Sequence, residues 1–167
     1  MKTIKLHRKN YFSYLEIFRN FETKTQREFN LIESMVSKVK KSDSVIYLLQ
    51  IDDKYIGFIA VSASKLLTDL EGVPSIEIQY LFVDKRYRKQ EFSQLNNLKA
   101  SLFLIGLIQN IALELQTQIG IRYIILYPDK QNLNLIDFYI KLGFYKYKLV
   151  FWDNKKRETE YWMIKKL

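Results

Sequence analysis

Residues 75–127 constrain the fold of this chain more than any other stretch. They open on a near-continuous apolar strand, Ser75-Ile76-Glu77-Ile78-Gln79-Tyr80-Leu81-Phe82-Val83. A strand of this kind is covered on both faces and sits centrally in its sheet. A long apolar helix is predicted over residues 100–118, where Leu104, Ile105, Ile108, Ile111, Ala112 and Leu115 recur at helical spacing. A helix this apolar is expected to be largely buried. Gly120 suits its C-terminal end, and residues 121–127 return as a strand that Pro128-Asp129 stops. Strand, crossover helix and strand imply one parallel pair inside a mixed sheet.

The rest of the chain supplies the neighbours. Residues 2–6 read as a first strand. Tyr11, Tyr14, Leu15, Phe18 and Phe21 follow one helical register, and Phe29, Ile32, Met35, Val36 and Val39 follow another. Two helices therefore fill residues 9–41 with a break around 23–26, and Lys38, Lys40 and Lys41 suit the second C-terminus. Residues 45–51 and 55–62 form an antiparallel hairpin across Asp52-Asp53-Lys54. Gly72-Val73-Pro74 reads as a loop, residues 133–142 as a short helix closed by Gly143, and residues 145–151 and 159–164 as a last hairpin across Asp153-Asn154-Lys155. The order is β, αα, β, β, β, α, β, α, β, β, an α/β chain. No repeat or linker interrupts it, so residues 1–167 are expected to be one domain.

Composition excludes several chemistries. With no cysteine there is no disulfide framework, no thiolate nucleophile and no Cys-ligated zinc, and no metal is expected. The one histidine, His7, reads as a surface or capping residue. No charge-flanked apolar leader is recognised, and no apolar run is read as approaching the ~18 residues of a membrane span, so the expectation is a cytoplasmic protein without a membrane partner. The net charge of +9, from 27 Lys plus Arg against 18 Asp plus Glu, fits either simple solubility or a polyanionic ligand. Its clusters at Lys38–Lys41, Lys85–Lys89 and Lys155–Arg157 are small and dispersed.

The strand ends Leu81-Phe82-Val83 and runs through Asp84 into a basic loop, Lys85-Arg86-Tyr87-Arg88-Lys89-Gln90. Farther on stand Asn132 and the phrase Phe138-Tyr139-Ile140-Lys141-Leu142-Gly143-Phe144. The element order and this wording, confined to residues 76–144, resemble the GCN5-related N-acetyltransferase family. The resemblance implies a single-domain acetyltransferase fold with its parallel pair at the cofactor cleft. It also implies acetyl-CoA as co-substrate, with the pyrophosphate on the loop and the next helix N-terminus. Free amides and the helix dipole favour an anion there.

The loop departs from the family's pattern, which carries glycines that let the backbone approach the phosphate. An ungapped reading puts Glu91 and Ser93 at the glycine positions, with Glu91 an unfavourable charge beside phosphate. A second register treats residues 91–98 as an insertion and starts the helix near Lys99-Ala100-Ser101. Ala100 and Ser101 then take the glycine positions and Lys99 faces a phosphate. The second is preferred, because the amphipathic stripe begins only after Ser101. Cofactor-binding residues implied by the resemblance are Leu81, Phe82, Val83, Arg88, Lys89, Gln90, Lys99, Ala100, Ser101 and Asn132.

Two groups are candidates for proton transfer. In the family the tyrosine at the position of Tyr139 protonates the departing thiolate, a reasonable task for a phenol. With 12 tyrosines in the chain, a packed core aromatic is the plain alternative. Glu77, four residues before Leu81, matches a strand glutamate that some members use as general base. Its plain alternative is a solvent-facing or lysine-paired carboxylate.

The leading expectation is an N-acetyltransferase acting by direct attack of an amine on acetyl-CoA. A small amine, a peptide N-terminus or lysine, and an aminoacyl-tRNA all remain open as acceptors, and pairing with a second copy is left open. Residues Gly57-Phe58-Ile59-Ala60-Val61-Ser62 resemble the acetyltransferase toxins of toxin–antitoxin pairs, and the positive charge suits tRNA. The competing expectation is a catalytically inactive module of the same fold, binding a partner or nucleic acid through its basic surface.

Overall fold

The computed structural model of the protein describes residues 1–67, 71–129, 132–148 and 161–167. Its elements in chain order are β1 (Lys2–Leu6), α1 (Leu15–Arg19), α2 (Gln26–Lys41), β2 (Val45–Ile51), β3 (Lys54–Leu67), β4 (Gly72–Val83), β5 (Glu91–Phe92), β6 (Leu98–Lys99), α3 (Ala100–Ile119), β7 (Tyr123–Leu126), α4 (Leu133–Lys141), β8 (Tyr145–Lys148) and β9 (Tyr161–Lys166). Short 3₁₀ turns at Tyr11–Tyr14, Lys85–Tyr87 and Ser93–Leu95 complete the list. The expected turn at Asp153-Asn154-Lys155 lies outside the described residues. The chain forms two compact units, Met1–Ser62 with Gln79–Ile108, and Ala63–Ile78 with Gln109–Leu167. Each is described in turn.

In the first unit the strand order is β1-β2-β3-β4. β1 pairs antiparallel with β2, and β2 with β3, with a bulge between Leu49 and Gln50. Asp52 and Asp53 both adopt left-handed backbone, φ 47° and 62°, which is how two residues close a hairpin whose strands twist together. Thr25 caps α2 by accepting from the Glu28 amide, and Ser42 ends it in the left-handed conformation. The buried faces of these elements form one cluster, including Leu6, Phe18, Phe21, Ile32, Met35, Val39, Phe58 and Phe82. Its aromatic centre is close-packed: Phe18 meets Phe58 at 5.4 Å and Phe21 meets Phe82 at 5.1 Å between ring centroids, both edge-on.

In the second unit the order is β4-β7-β9-β8. β4 and β7 are the parallel pair, in register from Ser75 opposite Tyr123 to Ile78 opposite Leu126. β9 pairs antiparallel with both β7 and β8. Leu66, Val73, Ile125 and Ile164 are buried together, flanked by Tyr123, Tyr147 and Trp162. Gly143, at φ 85°, follows α4, and the Phe144 amide bonds back to the Tyr139 carbonyl.

Four expectations need correction. Gly72-Val73-Pro74 is not a loop but the start of β4. Val73 is buried, and the ladder to β7 begins only at Ser75, so the missing Pro74 amide costs nothing there while its carbonyl accepts from Arg122. β3 extends to Leu67 rather than stopping at Ser62. α3 is less buried than its composition predicted: Leu104, Ile105, Ile108 and Ala112 are buried, but Leu113 and Ile119 are 48% and 64% exposed. Finally, α3 is by length and composition apolar enough to cross a membrane, contrary to the reading that no such run exists.

Candidate active site

The first unit contains the loop that follows β4, and its geometry begins at Asp84. This carboxylate is fully buried and accepts from the amides of Glu22 and Arg86 and from the Arg86 guanidinium at 2.7 and 2.8 Å. Burial alone would raise its pKa, but the Arg86 hydrogen bond and the two amides outweigh that and hold it below the usual Asp value. The Asp84 amide bonds to the Ile56 carbonyl and the Lys85 amide to the Glu22 carbonyl. The end of β4 is therefore pinned both to β3 and to the segment before α2.

Arg88, placed at the phosphate by the resemblance, is committed inside the protein. Its Nε donates to the Val83 carbonyl at 2.8 Å, and its two terminal nitrogens grip both oxygens of Glu28 at 3.0 and 2.8 Å. It also lies over the Phe82 ring. Glu28 is itself fixed, since one of its oxygens accepts from the Lys24 amide at 2.7 Å. Burial would raise the Glu28 pKa; the bonds from Arg88 and Lys24 prevail and lower it.

Of the two helix registers, the structure has the later one. α3 starts at Ala100, and residues 91–99 form a small insertion in which β5 and β6 pair, Glu91 opposite Lys99 and Phe92 opposite Leu98. Asn96 and Asn97 make its turn at φ 56° and 60°. No described residue from 84 to 95 has positive φ, so the loop takes a shape that does not call for glycine. Lys89, Gln90 and Lys99 are exposed, Ala100 is buried, and Ser101 is half-buried. The first turn of α3 carries no acidic residue, so no carboxylate there opposes an anion at the dipole's positive end. Leu81 and Val83 are partly exposed and Phe82 is buried.

The second unit holds the remaining candidates. Tyr139 is buried in α4, with Phe138 and Phe144 edge-on at 5.3 and 5.7 Å. Burial pushes its pKa up to about 12, so the phenol keeps its proton throughout the physiological range. Asn132 is the N-cap of the same helix: its side-chain oxygen accepts from the Leu135 amide at 3.2 Å. Glu77 stands half-buried in β4, opposite Ile125 in the parallel ladder.

Sequence reasoning missed Glu28, Asp84 and Arg86 as parts of this apparatus. The readable signal was slight: Thr25 and Glu28 have capping-box spacing, which marks a helix start but not the arginine it will bind.

With this geometry the fold is that of the GCN5-related N-acetyltransferases, in the form seen in acetyltransferase toxins. The particular structures it resembles are three. The AtaT–AtaR complex bound with acetyl-CoA superimposes with a TM-score of 0.68 at 15% identity, covering 99% of this chain and 92% of that one. The KacTA–DNA complex gives 0.65 at 14% identity, covering 99% and 93%. AtaT complexed with acetyl-methionyl-tRNAfMet gives 0.62 at 16% identity, covering 88% and 85%. No protein-family model matches the sequence, and no curated protein matches it.

Proposed function

We propose that residues 1–167 form one cytoplasmic N-acetyltransferase domain that transfers the acetyl group of acetyl-CoA directly to an amine. The observation that carries this reading is the β4–loop–α3 geometry: a basic loop with exposed Lys85 and Lys89 leading to a 20-residue helix whose first turn carries no acidic residue, within a fold shared with a complex that holds acetyl-CoA. The pyrophosphate binds the loop amides and the start of α3, with Lys99 and Lys89 at hand. The pantetheine arm runs along the end of β4, where Leu81 and Val83 are partly exposed. The Val83 carbonyl is already taken by Arg88.

The chemistry then needs three proton movements. The acceptor ammonium loses a proton to Glu77, directly or through water. The free amine attacks the acetyl carbonyl carbon, the tetrahedral adduct collapses, the carbon–sulfur bond breaks, and Tyr139 donates its phenolic proton to the departing thiolate. The extra proton on the new amide nitrogen returns to the Tyr139 phenolate, directly or through water, leaving a neutral amide and a reprotonated tyrosine. A phenol that stays protonated at neutral pH suits donation to the thiolate and not deprotonation of the ammonium. For the acceptor, an aminoacyl-tRNA is the reading that the net charge of +9 favours. AtaT, of the same fold, is found with an acetylated methionyl-tRNA.

The test is acetyl transfer from labelled acetyl-CoA to charged tRNA, to peptides and to small amines, followed by release of free CoA thiol. Label in any amine pool supports the enzyme reading, and label in charged tRNA supports the acceptor. A second reading rests on one observation: Arg86 and Arg88, the loop's arginines, are engaged by carboxylates of the protein itself. A module that binds without catalysis would show no transfer to any pool.

A further inference from the structure

Arg88 is the loop residue with the most to offer a phosphate, and three of its five guanidinium N–H groups, one on each nitrogen, are already given to the protein. All three nitrogens have protein acceptors: Val83 O through Nε, and the two Glu28 oxygens through the terminal pair. A bidentate fork of this kind is among the stronger pairings a side chain makes, and it fixes orientation as well as distance. Only about a quarter of either side chain is exposed, 23% for Arg88 and 25% for Glu28, so water weakens the pair less than at an open surface. Both ends are anchored. Glu28 is tied into the first turn of α2 by the Thr25 cap and by the Lys24 amide. Arg88 is tied to the last carbonyl of β4 and lies 5.6 Å from the Phe82 ring centre. A second strap runs parallel to it, from Asp84 to the Glu22 amide and from the Lys85 amide to the Glu22 carbonyl.

We propose that Glu28 and Arg88 are positioning residues for the cofactor: their ion pair sets the shape of the loop that receives the pyrophosphate, and Arg88 acts through that shape without touching phosphate. The proposal rests on the acetyl-CoA reading above. It explains how residues 84–95 hold one conformation without a glycine: a strap from α2 constrains the loop. It also makes cofactor affinity depend on a carboxylate 60 residues away in sequence, one that a direct electrostatic view would expect to repel the ligand.

The experiment is calorimetric titration of the full chain with acetyl-CoA at several ionic strengths, using wild type, Glu28→Gln, Arg88→Gln, the double variant and Arg88→Lys. Thermal melts on each variant check folding. Positioning predicts that Glu28→Gln and Arg88→Gln each weaken binding by roughly ten- to a hundredfold, the range expected on losing a charged hydrogen-bonded partner. It predicts that the double variant is no worse than either single one. It also predicts that the salt dependence of binding is unchanged, and that Arg88→Lys, which keeps the charge but loses the fork, fails to rescue. A shallower salt dependence in Arg88→Gln, with Glu28→Gln binding normally and Arg88→Lys rescuing, would make Arg88 a phosphate contact and overturn the proposal. Should Arg88→Gln not fold, Glu28→Gln and Arg88→Lys still separate the two outcomes. Wild-type protein that binds no acetyl-CoA would instead overturn the reading beneath the proposal, a failure visible before any variant is made.

Discussion

Gly57 of β3 faces the backbone of Phe82 in β4 so closely that a Cβ at position 57 would overlap the Phe82 carbonyl oxygen and lie 2.9 Å from the Val83 Cα. A glycine inside a strand marks a site where another backbone approaches. Here that backbone is the stretch expected to carry the pantetheine arm. Gly57→Ala must push β3 and β4 apart, because the obstacle is main chain and cannot rotate away. The expected cost is about 1–3 kcal/mol of stability, together with weaker acetyl-CoA binding. Chemical denaturation and titration check both. A neutral substitution would mean that the strands separate easily at this point.

Asp84 should govern the acid limit of stability. Its folded pKa lies below the ordinary 3.8, and that of Glu28 below the ordinary 4.5. Between the lowered and ordinary values the unfolded chain binds more protons than the folded one. Stability from these groups is therefore complete above the ordinary values and drains away as pH falls through the lowered ones. Asp84→Asn should lose about 1.5–3 kcal/mol at neutral pH and flatten the curve below roughly pH 5. Urea midpoints from pH 7 down to 3 measure this. An unchanged acid limb would remove Asp84 from the account.

Tyr139→Phe keeps the ring between Phe138 and Phe144 and removes only the hydroxyl. Acetyl-CoA binding should persist while turnover falls by roughly 10²–10⁴. Because the folded phenol titrates near 12, wild-type stability from this group holds up to about pH 10 and is lost only above it. Normal turnover in the variant would leave Tyr139 as a packed aromatic.

Along α3, Leu104→Ala or Ile108→Ala should each cost about 2–5 kcal/mol, since both side chains are fully buried. Leu113→Ala, at an exposed position, should change stability by no more than about 0.5 kcal/mol. Denaturation of the three variants tests the burial pattern directly, and equal losses at all three positions would refute it.

How much of this was legible follows the range of each interaction. Apolar periodicity revealed the parallel pair and the later start of α3, because the stripe of Leu104, Ile105 and Ile108 begins only past Ser101. Local backbone chemistry revealed the turn at Asp52-Asp53 and the closures at Gly120 and Gly143. An insertion was legible at 91–98 from the late start of the stripe, but the pairing of β5 with β6 inside it was not, since two-residue strands leave no alternation to detect. Asn96-Asn97, both residues that tolerate positive φ, was its one trace. Long-range polar pairing was not legible at all. Glu28 meets Arg88 across 60 positions and Asp84 meets the Glu22 amide across 62, and nothing local distinguishes those carboxylates from solvated ones. Arg88 looked like a phosphate ligand because its partner Glu28 lay so far away in sequence.

The central claim is that this loop and the start of α3 hold acetyl-CoA despite lacking the expected glycines. Calorimetric titration of the wild-type protein with acetyl-CoA tests it most directly. The account predicts saturable binding below millimolar concentration that weakens as salt is raised and weakens further in Lys99→Glu. No detectable heat at millimolar acetyl-CoA, in a protein shown to be folded, would contradict the acetyltransferase reading and leave a binding module in its place.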